Sequence, residues 1–202
     1  MNSAQRTAHV HADRLSGWVD RFAASHRGLA STTDTDDGVL LAMRDGATAL
    51  LCAPWPDDGR PGRGAGSLER LVSLAAQERR LALVLVRRGG YAVGIAVGGK
   101  LVAHKVGTAG SRSRGADSGA AMVQRAAAEA AKVFSGQSFE YLATGGDKPL
   151  VESVLATPTL RDVAQRSRLA PLAVADPNMA VLTKAAGDFC AVRITITDPA
   201  GS

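Results

Sequence analysis

Residues 81–108 read LALVLVRRGGYAVGIAVGGKLVAHKVGT, three apolar runs broken by glycine-centred pairs. Leu81–Val86 contains no polar residue, which predicts a strand buried on both faces. Arg87–Gly90 supplies a turn or bulge, and Tyr91–Val97 predicts a second strand. Gly98-Gly99 is a two-residue turn leading into a third strand, Leu101–Val106. The stretch is a three-stranded meander. GIAVGGK at 94–100 also matches the first seven positions of a phosphate-binding loop. Leu101, however, stands where Ser or Thr would hold magnesium, and the glycines fall within and between strands rather than before a helix. It reads as a hairpin turn.

Downstream, Thr108–Gly119 is a Gly/Ser/Arg loop without periodicity. A helix is predicted from about Ala120 to Phe134, with Met122, Ala126, Ala130 and Val133 inward and Arg125, Glu129 and Lys132 outward. Phe139–Thr144 predicts a strand ending in Gly145-Gly146-Asp147, and Pro149 suits the first turn of the next helix. Asp147 reads as the cap of that helix rather than as part of an anion site. A variable helical region follows over 159–182, and Phe189–Thr197 predicts the last strand. Strands alternating with helices after a meander place the chain in the α/β (α+β) class, a mixed sheet covered by helices.

Upstream, residues 7–58 predict a small α/β unit. His9–His11 is an extended entry, and Asp13 suits the cap of a helix over Arg14–Ser25, whose Leu15, Trp18, Val19 and Phe22 make one apolar face. TTDTDDG reads as turn. Val39–Met43 and Thr48–Ala53 flank Asp45-Gly46 as a hairpin. The Pro/Gly-rich 59–66 reads as a linker, placing the domains at 1–58 and 67–202, with a helix over Ser67–Gln77 capped by Ser67.

Charge is concentrated. Between Arg60 and Arg114 there are 11 Lys/Arg and 2 Asp/Glu, within a chain of 202 residues whose formal net charge is +5. A concentrated positive field suits a polyphosphate partner, above all nucleic acid. Aromatics make up only 4%, which argues against a base-stacking platform. Lys105, Arg112 and Arg114, beside a glycine-rich loop, suit the tracking of a phosphate backbone.

Other motifs are weaker. Asp34, Asp36 and Gly38 only faintly follow a calcium loop, with Val39 at the position that needs glycine. The four histidines show no metal-ligand spacing, so neither metal nor cofactor is expected. Cys52 and Cys190 sit in apolar runs and read as buried free thiols. The N-terminus lacks an apolar leader core, and no run approaches a membrane span. The expectation is a soluble cytoplasmic protein.

VLVRRGGYAVG, LVAHKVGT, the Gly/Arg loop, the Ala-rich helix and LATGGDKPLVESVLA together resemble the actinobacterial branch of the Vms-type peptidyl-tRNA hydrolases, relatives of the catalytic middle domain of eukaryotic release factor one. The N-terminal unit and the closing FCAVRI fit as well. The resemblance implies an RNase H-like mixed sheet and a role at large ribosomal subunits stalled with peptidyl-tRNA. There the loop after the third strand would place water against the peptide–tRNA ester. It assigns Arg87, Arg88, Lys105, Arg112 and Arg114 to RNA, and Gly107, Thr108, Gly110, Ser111 and Gly115 to the loop. Family members carry a glutamine in a longer loop. This chain has none between Thr108 and Gly119, and the nearest is Gln124 in the following helix. Gln124 is therefore the catalytic candidate. The alternative is a non-catalytic ribosome- or RNA-binding paralogue.

Overall fold

The computed structural model describes residues 5–108 and 116–199. In chain order the elements are β1 Gln5–Val10, α1 Ala12–Ser25, β2 Leu29–Thr35, β3 Gly38–Met43, β4 Thr48–Cys52, α2 Ser67–Ala75, β5 Arg80–Arg87, β6 Gly90–Val97, β7 Lys100–Thr108, α3 Ala116–Phe134, β8 Tyr141–Gly146, α4 Lys148–Leu155, a 3-10 turn Pro158–Leu160, α5 Arg161–Ala164, α6 Met179–Phe189 and β9 Val192–Thr197. They form two units, Met1–Gln77 with Cys190–Ser202, and Glu78–Phe189.

In the first unit an antiparallel sheet runs β1-β9-β4-β3-β2. Burial along β3 alternates strictly, so one face meets a core and the other meets water. Leu41, Leu51 and Ile194 on that face pack with Leu15, Val19 and Phe22 of α1 and Leu71 of α2. Each such side chain contributes about 1.5–3 kcal/mol on burial.

Three expectations are corrected here. TTDTDDG is largely strand β2, an edge strand exposed along its whole length. It pairs with β3 through backbone alone and carries no apolar alternation to announce itself. Residues 59–66 pack onto α2 rather than forming a linker: Arg63 N–H donates to Ser73 Oγ at 3.0 Å and Gln77 Nε2 to the Arg60 carbonyl at 3.0 Å. Consequently α2 belongs with the first unit, and β9 returns there to pair with β1 and β4. The helix caps also differ. α1 starts at Ala12 after His11, with Asp13 in its first turn, and Gly66 precedes α2 while Ser67 donates to Asp34.

The second unit holds a sheet ordered β7-β6-β5-β8. β5, β6 and β7 form the expected meander, joined through Gly98 (φ +54°) and Gly99 (φ +79°), which confirms a hairpin turn there. β8 runs parallel to β5. Its outer edge is covered by bridges Leu142↔Arg168 and Gly145↔Leu172. Ala82, Val84, Val93 and Leu142 meet Met122, Ala126 and Ala130 of α3 and Val151 and Leu155 of α4. α6 packs on the opposite face, against β5, β6 and β7. Burial on both faces is why β5 reads as an unbroken apolar run. The fold is mixed α/β, as the sequence predicts. Cys52 and Cys190 are both buried and are not joined in a disulfide.

Candidate nucleic-acid interface

Both β5 and β7 run antiparallel to β6, and β8 runs parallel to β5, so β5, β7 and β8 all end at the same end of the sheet. In open α/β sheets that end is where ligands bind. Three segments meet there: the Arg87–Gly90 turn, the exit of β7 at Gly107-Thr108, and Gly145-Gly146-Asp147 leading into α4.

Glycines make this convergence possible. Gly90 pairs with Thr108, and a β-carbon on Gly90 would lie 2.5 Å from the Gly107 carbonyl oxygen. Gly146 (φ +98°) approaches Val86, where a β-carbon would fall 2.2 Å from the carbonyl oxygen. The Asp147 N–H donates to that same Val86 carbonyl at 2.8 Å. Asp147 is the helix cap, its carboxylate accepting from Leu150 N–H, as the sequence reading preferred.

The expected cations divide. Arg87 is partly committed: Nη1 donates to the Val174 carbonyl at 3.1 Å, and Nε lies 3.5 Å from Asp176. Arg88 is exposed in the turn. Lys105, also exposed, sits directly opposite Val93, whose side chain packs under α3. Cross-strand partners share a face, so Lys105 projects on the α3 side at the sheet edge. Arg112, Arg114, Gly110, Ser111 and Gly115 lie outside the described residues. Gly107 and Thr108 are the last two residues of β7.

Gln124 is exposed. α3 starts at Ala116, four residues earlier than its periodicity suggests. Gln124 is thus about 12 Å along the helix axis from its start. It also lies on the opposite flank of the polar face from Glu129.

Groups that the sequence reading passed over surround Tyr91. Its phenol is buried, and burial pushes its pKa up, with Glu129 adding to the rise and Arg125 and Lys132 opposing it. Lys132 donates to Glu129 at 2.8 Å; that bond first, and Lys105 last, hold the Glu129 carboxyl below its ordinary range. The same bond raises the Lys132 pKa. The helix face 125–129–132 was legible as polar, but its tie to Tyr91 depends on strand register. Among the described residues no His/Cys/Asp/Glu group is placed to hold a metal, and no helix is long and apolar enough to cross a membrane. Arg88, Lys105 and Arg125 are exposed cations of the kind that phosphate oxygens accept from.

The family model for the Actinobacteria/chloroflexi VLRF1 release factor matches residues 79–195, more than half of the chain. No curated protein matches. Among solved structures, Pelota from Archaeoglobus fulgidus aligns over 92% of this chain and 65% of its own, at 13% identity and a TM-score of 0.31, too low to bear on function. The chain thus spans less than two thirds of that protein's length.

Proposed function

The chain belongs to the Actinobacteria/chloroflexi VLRF1 release factor family, and from that membership we propose that it acts in ribosome rescue as a peptidyl-tRNA hydrolase. Its partners in this reading are the large ribosomal subunit and peptidyl-tRNA, and its place of action is the cytoplasm. The observation that carries the proposal is the family match from residue 79 onward, over the unit whose strand ends converge on Gly107-Thr108. Arg87, Arg88 and Lys105, with Arg112 and Arg114 of the adjoining segment, hold RNA phosphates. The segment from Gly107 through Gly115 orients water against the ester.

The reaction is acyl transfer to water. One oxygen–carbonyl bond forms, and the ester bond to the tRNA ribose breaks. The released hydroxyl stays on the tRNA, and the peptide leaves as a carboxylic acid. Such chemistry is served by positioning and by amides aimed at the developing oxyanion more than by a strong nucleophile. Gln124 is the side chain proposed to help place the water.

A second reading has its own support. No glutamine stands between Thr108 and Gly119, and Gln124 lies well inside α3. This favours a ribosome-binding paralogue without the hydrolytic step. Single-turnover peptide release from stalled large-subunit complexes, with co-sedimentation on the same samples, separates the readings. Release supports the hydrolase, and binding without release supports the paralogue. Absence of both rejects ribosome rescue.

A further inference from the structure

Segment 165–178 joins α5 to α6 along the outer edge of β8, where the bridges Leu142↔Arg168 and Gly145↔Leu172 pin it. Leu172 N–H donates to the Thr144 carbonyl at 3.0 Å, and the Leu172 carbonyl accepts from Gly146 N–H at 3.3 Å. At the other end Pro177 is buried, and Asn178, just before α6, accepts from Val181 N–H at 2.9 Å. Between these anchors the segment reaches the end of β5. There the Val174 carbonyl accepts from Arg87 Nη1 at 3.1 Å, and the Asp176 carboxylate stands 3.5 Å from Arg87 Nε. The same carboxylate lies over Gly89, where a β-carbon would meet it at 3.6 Å. A pinned backbone thus carries an anion to the Arg87–Gly90 turn.

Holding the fold together does not account for an acid in this place. Asp176 is 79% exposed and Arg87 47% exposed, and their 3.5 Å separation exceeds an ordinary N–H···O bond. An exposed pair of this kind adds little stability, and the backbone contacts already fix the segment. Its effect is electrostatic. The turn offers Arg87 and Arg88 to a polyanion, and a carboxylate oxygen accepts from a guanidinium as a phosphate oxygen does. A phosphate that reaches Arg87 must displace Asp176 and meets its charge as repulsion.

We propose that Asp176 is an autoinhibitory contact. It occupies the phosphate position on Arg87 and holds RNA affinity below what the strand-end cations alone would give. The proposal rests on the reading that RNA phosphates meet this end of the sheet, and not on ester cleavage. When RNA binds, a backbone phosphate takes the place of Asp176 on Arg87, while the Val174 carbonyl keeps the guanidinium aimed. Until then Asp176 cancels one of the positive charges that would release counterions from RNA.

Co-sedimentation of the full chain with large ribosomal subunits carrying peptidyl-tRNA, repeated across a salt series, tests this. Asp176→Asn should bind about three- to tenfold more tightly than wild type and steepen the slope of log affinity against log salt by about 1. Asp176→Ser, a second way of removing the charge, should repeat the gain. Asp162→Asn removes the same charge from exposed α5, beyond the C-terminus of α4, and should change affinity by less than about twofold. In an Arg87→Ala background Asp176→Asn should also gain less than about twofold, because the cation it masks is gone. The inference is overturned if Asp176→Asn and Asp176→Ser bind as wild type does. It is equally overturned if Asp162→Asn, or Asp176→Asn in the Arg87→Ala background, gains as much, since net charge would then be the cause. Absence of salt-dependent binding by wild type and every variant would reject the RNA reading itself, and the inference with it.

Discussion

The ring of Tyr91 lies across the backbone of Gly107 so closely that a β-carbon at 107 would sit 2.4 Å from Cζ and 2.5 Å from the hydroxyl oxygen. The two residues are direct register partners on β6 and β7. Tyr91 is buried under α3, so the ring has no free direction in which to yield. Gly107→Ala should therefore destabilise the unit by about 1–3 kcal/mol, the range for overpacking. Tyr91→Ala alone should cost about 3–5 kcal/mol through the cavity it leaves. In the Tyr91→Ala background the alanine at 107 should add almost nothing. Urea denaturation followed by circular dichroism checks the cycle, and additive costs would show that the contact does not set the position of β7.

Arg79 has no solvent exposure, and its Nη1 donates to Glu140 at 3.2 Å and to the Tyr141 hydroxyl at 3.4 Å. Its guanidinium also lies 5.9 Å from the Tyr141 ring centroid. Removing the carboxylate takes a charged partner from a buried guanidinium. Because Glu140 is itself a third exposed, water moderates the loss, and Glu140→Ala should cost about 2–3 kcal/mol. Arg79→Met with Glu140→Met should recover part of that in the same denaturation experiment.

Much of the second unit was legible because its strands announce themselves. Leu81–Val86 is apolar throughout, and Gly98-Gly99 permits only a tight turn. The helix after the loop was placed correctly at its C-terminal end but four residues late at its start, since Ala116–Gly119 offers a single alanine and no second apolar position to set a phase. The first unit was read less well. β2 is polar and exposed on both faces, so its pairing with β3 leaves no trace in hydropathy. The return of β9 to β1 and β4 is a long-range pairing that local pattern does not encode. At the candidate site, residue types revealed the cations, but only register brings Lys105 to the α3 face.

The segment mistaken for a linker carries its own prediction. A β-carbon on Gly62 would lie 1.8 Å from the Arg70 carbonyl oxygen in α2, a backbone atom that cannot step aside. Gly62→Ala should lift the segment from α2, whereas Gly66→Ala, with nothing within 4 Å, should be tolerated. Limited trypsin digestion reads the difference after Arg63, since the Arg60–Pro61 bond resists trypsin. The wild type and Gly66→Ala should resist cleavage there, and Gly62→Ala should be cut rapidly.

The first unit should also show an acid dependence centred on Asp45. Its carboxylate accepts from Ala47 N–H at 3.0 Å and from His26 Nδ1 at 2.8 Å. The backbone donor first, then His26, holds its pKa below the ordinary carboxylate value. A depressed carboxylate stabilises the fold above its unfolded pKa of about 3.9, and the contribution disappears as pH falls through the folded value. Wild type should therefore exceed Asp45→Asn in stability at neutral pH, and the gap should close below about pH 4. A gap that persists in acid would place the effect in packing rather than in charge.

Arg88 and Lys105 stand exposed at the end and edge of one sheet. Neither supports a core, so Arg88→Ala and Lys105→Ala should change stability by no more than about 0.5 kcal/mol. If both residues contact RNA phosphates on the ribosome, each variant should weaken co-sedimentation and lower the slope of log affinity against log salt by about 1. The double variant should lower it by about 2, because separate phosphates release separate counterions. Arg14→Ala removes the same charge from exposed α1 and should leave the slope unchanged. Equal losses from all three variants would mean that net charge alone governs binding. A lower slope confined to Arg88 and Lys105 would tie the strand ends of this sheet to the RNA surface.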